Sequence, residues 1–408
     1  MAYNINKLEG TTSFIRMAGK NGDIFVKEDA LKYYDFKNEL NILSPISGQI
    51  STASSSQIEF DLSSTGVHRV EDIFFTVNVT ASGAAAVPMP LFFQILRVEL
   101  LVNGTSAVTI ASQNFYYDII MSDSEYIAQQ AQACGFTYNP STYAITADTV
   151  GVTTTAVRTY SMPIVSMLRQ LWLPTLKTNN VKIRVTFDSG TNLVASGLYT
   201  DLVYSAPQIY LQGKVYKPST FLKLNSQYKL GPHVSRCRIQ RNTSMSVGVL
   251  TGGVQYQQVI GSLTGSMSKL CAQVWEVGSS PAATDKLAFF SLSSLSLIDD
   301  NGKPWSFYSV PTALLKQQIM LSKYNTPVCI ANNLYMMPFA KNPREVQDLN
   351  IDSGSIYFTG KYAIYFTPTA SSTRACTLQI TADEIGIVVQ NGDGSIEVVQ
   401  IKSDEDFM

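Results

Sequence analysis

A β-hairpin signature occurs twice in the chain, and this recurrence constrains the fold more than any other feature of the sequence. The first copy, "VELLVNGTSAVTI", turns at Asn103-Gly104, and the second, "LSLIDDNGKPWSF", turns at Asn301-Gly302. Asn-Gly between apolar strands is typical of a two-residue turn, because both residues tolerate the positive φ that such a turn requires. The two glycines are 198 positions apart (302 minus 104), so we predict structural turns at equivalent places in a repeat.

The segments after the two turns follow the same order, which supports a duplication. "TSAVTIASQNFYYDIIM" ends at Met121 in the first copy, and "KPWSFYSVPTALLKQQIM" ends at Met320 in the second. The second segment has a helix start signal, with Ser309 as a capping residue and Pro311 in the first turn. Each half then continues through a polar loop to an alternating strand and a closing strand.

Alternating apolar and polar residues predict β-strands over much of the chain. In "VEDIFFTVNVT" the residues Ile73, Phe75, Val77 and Val79 share one face, and "VKIRVTF" (181–187) alternates in the same way. Charged residues make up only 15% of the chain, which favours strands and surfaces covered by neighbouring molecules. Many short strands in a copy of about 170 residues suit an eight-stranded sandwich or jelly roll. The residues therefore predict an all-β fold of two such units with short helices and long loops, and the resemblance described below implies that both are eight-stranded jelly-roll barrels.

The two predicted barrels define the organisation of the chain. The polar segment "KPSTFLKLNSQYKLGPH", which contains two prolines, is interpreted as the connection between them. Long polar loops in compact β folds usually lie on the surface or carry function. We expect an N-terminal arm (1–48), a first jelly roll (49–216) with a loop insert (122–155), a linker (217–233), a second jelly roll (234–395) and a C-terminal tail (396–408).

No pattern of residues in the sequence predicts catalysis, a cofactor or a metal site. The only histidines, His68 and His233, lie outside any recognisable catalytic motif, and HExxH, GxSxG and GxGxxG do not occur. The acidic pair Asp383-Glu384 is expected in a turn or at an edge, since adjacent strand residues point to opposite faces. The five cysteines are interpreted as reduced thiols, and their spacing offers no zinc site. We therefore expect a protein that is not an enzyme.

Three tryptophans, Trp172, Trp275 and Trp305, are predicted to anchor cores or interfaces, where large aromatic side chains dominate the energetics. The 30 basic and 31 acidic residues are balanced and form no basic stripe, so no sequence-specific binding of nucleic acid is expected. Neither a signal peptide nor a run of about 18 apolar residues occurs, so synthesis in a cytoplasm is expected.

Several segments, taken in order, resemble one family of viral proteins. "ILRVELLVNGTSAVTI" (95–110), followed by "MPIVSMLRQLWLPTLKTNNVKIRVTF" (162–187), is similar to the first barrel of double jelly-roll major capsid proteins. "LSLIDDNGKPW" and "NLYMMPFAKNPREVQD" (333–348), followed by paired strands, resemble the second barrel. The resemblance runs over about residues 50–390 and rests on the ordered set, since no single motif is diagnostic.

The resemblance implies a structural role. Proteins of this family form the shells of tailless icosahedral viruses, many with an internal membrane, and three subunits with six barrels make a pseudo-hexagonal capsomer. The chain is then expected to form a homotrimer in a virion capsid and to contact neighbouring capsomers, vertex or penton proteins and minor capsid proteins. The resemblance also implies that Phe14, Ile15, Arg16 and Lys20 of the arm contact neighbouring subunits or the viral membrane, and that the loop insert builds an outer tower.

Two other functions stay open from the residues alone. A two-domain β-sandwich adhesin or spike would bind receptors or glycans through aromatic residues such as Tyr138 and Tyr143. A β-sandwich hydrolase is disfavoured by the sparse histidines and the missing motifs. Solution mass separates the adhesin from a capsid protein, because an adhesin need not form shells or hexagonal sheets.

Overall fold

The computed structural model describes most of two β-barrels. The described residues are 36–148, 150–164, 171–276, 289–299, 301–302, 310–311, 326–339 and 356–400. The predicted arm contacts Phe14, Ile15, Arg16 and Lys20 lie outside these residues, as do Trp305 and the body of the helix predicted after the second Asn-Gly turn.

The first half is built from short strands with a few short helices. Its strands are β1 Phe36–Leu43, β2 Ser56–Asp61, β3 Arg69–Ala81, β4 Val87–Pro88, β5 Ile95–Val102, β6 Thr105–Ala111, β7 Phe136–Tyr138, β8 Ile145–Ala147, β9 Arg158–Pro163, β10 Val181–Phe187, β11 Val194–Ser196 and β12 Leu202–Tyr216. Its α-helices are α1 Leu91–Gln94, α2 Ser112–Ile120, α3 Ser124–Cys134 and α4 Leu173–Leu176. Short 3₁₀ turns cover Lys177–Asn179, Gly190–Leu193 and Tyr199–Asp201.

The second half follows helix α5, Pro218–Leu230, and has longer strands. These are β13 His233–Val249, β14 Tyr256–Val259, β15 Thr264–Glu276, β16 Leu292–Ile298, β17 Val310–Pro311, β18 Tyr335–Pro338, β19 Ile356–Thr359, β20 Ala363–Pro368, β21 Ala375–Gln390 and β22 Ile396–Gln400. Helix α6, Thr326–Ala331, precedes β18.

Both halves have the same strand order. Without the accessory strands β4, β7, β8 and β11, the first half forms the sheets β1-β12-β3-β9 and β2-β10-β5-β6. Without β19 and β22, the second half forms β13-β21-β15-β18 and β14-β20-β16-β17. Numbered within each half, both orders read 1-8-3-6 and 2-7-4-5, which is the arrangement of a jelly roll. The predicted fold class, two eight-stranded jelly rolls, is confirmed.

Each barrel closes around the apolar faces of its two sheets. Phe75 of β3 is buried as predicted, and its ring packs edge-on against Phe60 and Phe187 with centroids 6.2 and 5.7 Å away. The second core uses alternate residues of β15, β16, β20 and β21, namely Leu270, Ala272, Val274, Leu295, Leu297, Ile364, Phe366, Leu378, Ile380 and Ala382. Burial of each large apolar side chain contributes about 1.5–3 kcal/mol, so these alternating faces account for the stability of the barrels.

The barrels stand side by side with their corresponding ends together. One end, called the loop end, receives the described parts of the connections between strands 1 and 2, 3 and 4, 5 and 6, and 7 and 8 of each half. These are 44–55, 82–94, 112–148, 150–157 and 188–201 in the first barrel and 250–255, 289–291, 326–334 and 369–374 in the second. At the other end, called the linker end, α5 joins β12 to β13. Hydrogen bonds cross between the barrels at both ends, from Ile145 N–H to Asn332 Oδ1 (3.1 Å) and from Trp172 N–H to Gln390 Oε1 (3.0 Å).

Two strands lie in segments that were expected to be an arm and a tail. Strand β1 pairs with β12 along its whole length, and its last residue, Leu43, lies in the first core. Strand β22 pairs with β21, so the sheet continues beyond the tail boundary expected at residue 396. Strand β1 lies at the edge of its sheet, whereas β22 pairs with the end of β21 beyond the residues that pair with β15.

The linker and the loop insert contain more secondary structure than their polar composition predicts. Helix α5 occupies most of the linker and begins at Pro218, whose fixed φ suits the first turn of a helix. In the insert, α3 begins after Asp123, whose side chain accepts a hydrogen bond from Tyr126 N–H at 2.7 Å. The helix ends at Gly135, which has a φ of 80°, and strands β7 and β8 form a hairpin beyond it.

The first Asn-Gly turn joins β5 to β6. Asn103 and Gly104 have φ values of 52° and 79°, and Val102 lies directly opposite Thr105. Positive φ at both central residues is the geometry of a type I′ hairpin turn, which matches the right-handed twist of the flanking strands.

The second Asn-Gly turn follows β16, the strand equivalent to β5. Gly302 N–H donates to Asp299 O at 3.1 Å, and Asn301 N–H donates to Asp299 Oδ1 at 3.0 Å. Leu295 lies opposite Val310, so this connection between the fourth and fifth strands is longer than its counterpart in the first barrel. The two turns thus occupy the same topological position with different lengths.

Candidate functional site at the contact between the barrels

The outer face of the second barrel's 1-8-3-6 sheet is buried, although outer faces of jelly rolls ordinarily meet solvent. Alternate residues of β15 and β21 enter the second core, and the residues between them point outward. The outward set is largely polar and consists of Lys269, Cys271, Gln273, Gln379, Thr381 and Asp383, all at most 4% exposed. The first barrel covers this face, since Cys271 belongs to the same buried cluster as Tyr116, Tyr117 and Met121 of the first barrel.

A buried ion pair lies at the centre of this face. Lys269 Nζ is 2.8 Å from Asp383 Oδ2, and their side chains are 3% and 1% exposed. Lys269 Nζ also lies 3.6 Å from Sδ of Met121, which belongs to the first barrel. Removal of one partner from a buried pair typically costs about 3–5 kcal/mol, because the other charge stays buried. The pair therefore makes the contact between the barrels sensitive to a single charge.

The next residue along β21 faces the opposite way. Glu384 points into the second barrel, where Arg241 Nε donates to its Oε2 at 2.9 Å. Burial raises the pKa of Glu384, and the Arg241 guanidinium only partly opposes this. The pair Asp383-Glu384 does point to opposite faces, but the expectation of a turn or an edge was wrong. Strand β21 lies inside the sheet with neighbours on both sides.

Helix α2 supplies the first barrel's side of the contact. The Tyr116 ring stacks on Phe289 of the second barrel with centroids 5.9 Å apart. Burial raises the pKa of Tyr117 well above its usual value, with Cys271 adding to the rise and Thr381 opposing it through a hydrogen bond. Both neighbours of Tyr117 come from the second barrel, so α2 is packed directly on the outward face of β15 and β21.

An amide side chain joins the barrels at the linker end. Gln390, the last residue of β21, accepts from Trp172 N–H at 3.0 Å. Its Nε2 donates to Trp172 O at 2.8 Å and to Thr175 Oγ1 at 2.6 Å. Because Gln390 is buried, loss of these bonds leaves polar groups unsatisfied, at about 1–3 kcal/mol for each group.

A second amide joins the barrels at the loop end. Asn332 follows α6, and its Oδ1 accepts from Ile145 N–H at 3.1 Å while its Nδ2 donates to Tyr143 O at 3.0 Å. The backbone oxygen of Asn332 accepts from Gln273 Nε2 at 3.1 Å. The β7-β8 hairpin of the loop insert is thereby connected to the second barrel.

The turn between β21 and β22, "NGDG" in the sequence, fits closely against both the linker helix and the first barrel. A Cβ on Gly392 would lie 2.6 Å from Lys229 O of α5, and one on Gly394 would collide with Thr175 O. Gly394 also has a φ of 83°, which L side chains rarely adopt. Asp393 accepts from Ser395 N–H at 2.8 Å, so its role in the structure is that of a turn residue.

An aromatic cluster packs the linker helix against both barrels. The Trp172 ring stacks on Tyr228 of α5 with centroids 5.0 Å apart, and its Nε1 donates to Asn225 Oδ1 at 3.2 Å. His68 lies 4.5 Å from the ring of Phe221, and His233 lies 3.9 Å from that of Tyr228.

Both histidines of the chain belong to this cluster. Burial lowers the pKa of His68 below its usual value, and the nearby Lys177 ammonium lowers it further. Burial also lowers the pKa of His233, although hydrogen bonds to Gln227 and Tyr228 oppose the shift. His68 Nδ1 accepts from Tyr216 N–H at 3.0 Å, which requires that nitrogen to be deprotonated. The cluster is therefore built around neutral imidazoles.

An ion pair on the outer face of the first barrel's 2-7-4-5 sheet provides a contrast. Lys182 Nζ lies 3.0 Å from Glu59 Oε2, and the two side chains are 25% and 18% exposed. Arg184 Nη2 also lies 2.7 Å from Glu59 Oε1, and its hydrogen bonds keep the pKa of Glu59 below its usual value. Water screens this group far more than it screens Lys269 and Asp383, so each of its pairs contributes little.

The structure places two of the three predicted tryptophan anchors at contacts between the barrels. Trp172 is buried in the aromatic cluster at the linker end. Trp275 is half-buried and lines a groove between the barrels at the loop end, together with Tyr116, Phe289 and Gln379. No pattern in the sequence identified Lys269, Asp383 or Gln390 as residues of the contact between the barrels, because polar residues in a strand are usually assigned to its solvent face.

Among the described residues no group of histidine, cysteine and acidic side chains is arranged to hold a metal ion. Within the same part of the chain, Cys134, Cys271, Cys329 and Cys376 are buried and outside any disulfide. Burial raises the pKa of Cys134, which makes its thiol a weak nucleophile. The hydroxyl of Tyr138 is buried, whereas Tyr143 is 36% exposed. None of the helices in the described ranges is long and apolar enough to cross a membrane.

Comparison with known proteins gives a likeness of fold without a likeness of sequence. No protein-family model matches the chain, and no curated protein matches it. A chain of the PBCV-1 virus capsid, solved as a quasi-atomic model, superposes on this chain with a TM-score of 0.65 at 13% sequence identity. The superposition covers 90% of this chain and 97% of the PBCV-1 chain. The Faustovirus major capsid protein gives 0.62 at 10% identity, covering 94% and 98%. The mavirus major capsid protein gives 0.51 at 11% identity, covering 90% and 91%.

The superpositions extend over both barrels and nearly the whole length of the similar chains. Together with the repeated strand order 1-8-3-6 and 2-7-4-5, they assign the architecture. The chain therefore has the double jelly-roll fold of these viral capsid proteins.

Proposed function

We propose that the chain is a major capsid protein, and that three copies form a capsomer of six barrels that tiles an icosahedral virus shell. The observation that carries this proposal is the pair of barrels with one strand order, held side by side at both ends and across the face between them. The likeness in fold to the Faustovirus and mavirus major capsid proteins supports the same function.

The mechanism is geometric. Two similar barrels in each subunit give a threefold trimer a nearly sixfold outline, and such a trimer fits a hexagonal array. The outline depends on a constant angle between the barrels, because a flexible hinge between them would give each trimer a different outline. The buried ion pair, the two amide contacts and the glycine turn each oppose such a hinge, and they support the role of a rigid tile.

The partners and location follow from this role. The trimer would contact neighbouring capsomers, vertex or penton proteins and minor capsid proteins in the virion, after synthesis in the host cytoplasm. The N-terminal residues Phe14, Ile15, Arg16 and Lys20 would contact neighbours or an internal membrane on the inner side of the shell. The role requires neither catalysis nor a cofactor.

Measurement of the mass in solution tests the proposal. A trimer has three times the subunit mass of 44.8 kDa, about 134 kDa. Light scattering after size exclusion should give this mass, and electron microscopy of concentrated protein should show hexagonal sheets or shells. A particle of 44.8 kDa at every concentration, with no ordered arrays, would refute the capsid role.

The adhesin alternative has less support. Tyr138, one of its two proposed ligand-binding aromatic residues, packs against the first core and has a buried hydroxyl. Tyr143 is exposed at the loop end, but a single ring makes a weak platform for a sugar. A glycan array with purified protein checks this alternative directly, and we expect no binding through this pair.

A further inference from the structure

We propose that the outer face of the first barrel's 1-8-3-6 sheet binds the second barrel of a neighbouring copy, head to tail. This inference rests on the proposed function and names the surface through which the copies associate. It comes from the register of the two equivalent sheets, from their opposite burial, and from an apolar stripe on the first of them.

The registers align the two sheets residue by residue. In the first barrel, the pairing of β3 with β12 shifts at Gln212/Gly213, beside the pair Asp72–Gln212. In the second, the pairing of β15 with β21 shifts in the same place, beside the pair Lys269–Asp383. Since both sheets have the strand order 1-8-3-6, Asp72 is the structural equivalent of Lys269, and Gln212 is the equivalent of Asp383.

The same alignment extends along both strands. Two residues further along β3, Phe74 lies opposite Tyr210, and the equivalent pair in the second barrel is Cys271 opposite Thr381. Cys271 and Thr381 are the residues that meet Tyr117 of α2 in the contact between the barrels. The surface around Phe74 and Tyr210 is therefore equivalent to the surface of the second barrel that binds the first barrel within the subunit.

The outer faces of the two 1-8-3-6 sheets differ in burial. The outward residues of β15 and β21 are at most 4% exposed, because the first barrel covers them. The equivalent residues of β3 and β12 are all partly open to solvent; they are Asp72, Phe74, Thr76, Gln208, Tyr210 and Gln212. Among the residues that the structure describes, these positions of the first barrel's face thus stay partly open to solvent, whereas their equivalents in the second barrel are covered.

The uncovered face carries an apolar stripe on its outermost strand. Leu40 and Ile42 of β1 are 58% and 54% exposed and are neighbours on one side of the sheet, and Phe36, which is 43% exposed, lies on the same side beyond Asn38. Leu40 lies opposite Gln212 and Ile42 lies opposite Tyr210, so the stripe continues onto the half-exposed rings of β12 and β3. Contiguous apolar surface of this kind marks an interface, whereas single exposed apolar residues do not.

The occupant follows from the asymmetry of the contact inside the subunit. There, the 1-8-3-6 sheet of the second barrel meets a different surface of the first barrel, formed by α2 and the edge strand β6. By the equivalence of the two halves, β17 of the second barrel corresponds to β6 of the first, so the side of the second barrel near β17 is the surface that would meet the first barrel's 1-8-3-6 face in a neighbouring copy. A contact between unlike surfaces of identical chains is heterologous, and it forms a closed ring when the rotation closes. Three copies then alternate contacts within and between subunits around six barrels.

Lysine substitutions on the stripe test the proposal. Leu40→Lys combined with Ile42→Lys places two charges on the exposed side of an edge strand, where lysine is well tolerated in a folded monomer. We expect the far-ultraviolet circular dichroism to be unchanged and the mass to fall from about 134 kDa to 44.8 kDa at the same concentration. Loss of two apolar contacts at the centre of an interface should weaken association by at least about 100-fold.

A matched control uses another exposed leucine. Leu222 on α5 is 66% exposed and lies at the linker end, outside the stripe. Leu222→Lys adds the same kind of charge and should leave the trimer intact. If Leu222→Lys dissociates the trimer as readily as the combined Leu40→Lys and Ile42→Lys substitutions do, the assignment of this surface is overturned.

The outcomes separate this inference from the function on which it rests. A wild-type protein that is monomeric at all concentrations refutes the capsid role itself. A wild-type trimer that withstands both stripe substitutions refutes only the proposed surface. If the stripe variant stays trimeric while residues 1–35 become sensitive to protease, the stripe binds the chain's own N-terminal segment and the proposal is wrong.

A cysteine variant tests the head-to-tail arrangement. In a heterologous contact Ile42 of one copy faces the second barrel of the next, so oxidation of the Ile42→Cys trimer should give no disulfide between copies through this position. In an isologous contact the two stripes face each other, and the same treatment would produce covalent dimers. Covalent dimers that disappear on reduction would therefore overturn the head-to-tail proposal.

Discussion

Replacement of Lys269 by methionine tests how far the angle between the barrels depends on one buried ion pair. At 2.8 Å the attraction between Lys269 and Asp383 is about 6 kcal/mol for an effective dielectric constant of about 20. The cost of burying both charges, several kcal/mol for each ion, offsets most of that attraction. The variant keeps the Asp383 carboxylate buried without its lysine, so the free energy of unfolding should fall by about 3–5 kcal/mol.

Urea denaturation followed by tryptophan fluorescence measures the loss. With a slope of about 2–3 kcal/mol per molar urea, the midpoint should fall by about 1–2 M. The double variant Lys269→Met/Asp383→Leu removes both charges and should recover to within about 1 kcal/mol of the wild type or exceed it. Such recovery shows that the Asp383 carboxylate, left buried without Lys269, causes the loss of stability in the single variant.

A solvent-screened pair of similar geometry serves as the control. Lys182→Met breaks the contact with Glu59 at 3.0 Å, where both side chains are partly exposed, and should cost about 0.2–1 kcal/mol. Equal shifts for Lys269→Met and Lys182→Met would refute the reasoning, because Glu59 stays partly exposed and keeps its contact with Arg184, whereas Asp383 stays buried. Failure of the double variant to recover would refute it as well.

Three further predictions concern the linker end and the arm. Gly394→Ala should destabilise the protein by about 1–3 kcal/mol in urea denaturation, because its φ is positive and a Cβ would meet a backbone oxygen. His68 and His233 have lowered pKa values, so the unfolded chain binds protons more readily; the thermal midpoint should fall as pH drops through about 6.5 and below, and less so in His68→Gln. Deletion of 1–35 should preserve the fold seen by circular dichroism but impair shell assembly, whereas deletion of 1–48 should also lower the thermal midpoint by removing β1.

Matched changes check these predictions. Gly231 has extended backbone and no atoms near its Cβ position, so Gly231→Ala should leave the urea midpoint unchanged. A thermal midpoint that is flat between about pH 8 and 5 would contradict the neutral-imidazole cluster. Normal shells from the 1–35 deletion would contradict a role of the arm in assembly.

The strands of the barrels were predictable from the sequence where apolar and polar residues alternate within one segment. Strand β10 buries Val181, Ile183, Val185 and Phe187 as its pattern predicts, because one of its faces lines a core. Strand β13 was missed, although it pairs with β21 from His233 to Val249. Its apolar residues Ile239, Met245 and Val247 share a face with the polar Arg241 and Thr243, so the alternation is broken. Backbone hydrogen bonds to a neighbour define the strand, and no pattern in a single segment reveals such a partner.

The contact between the barrels was the least predictable part. A lysine in an alternating segment, as in "SKLCAQV", normally indicates a solvent-facing position in a half-buried strand. In this chain the second barrel turns that face toward the first, and Lys269 is buried with its partner more than a hundred residues away. Trp172 was expected at a core or an interface from its size alone, but its neighbours on α5 could not be named because the linker was not expected to be helical.

The side-by-side barrels make the molecule a scaffold whose two poles differ in their tolerance of genetic change. At the loop end, Ser141 and Thr142 are exposed at the tip of the β7-β8 hairpin, beyond the large sheets. A foreign peptide inserted there adds mass at one pole and leaves every large-sheet register intact. A single residue inserted at Asn103-Gly104 would instead slip β6 against β5 and exchange its inner and outer faces. Antigen display and affinity tags therefore belong at the loop pole, and the opposite pole must keep its length.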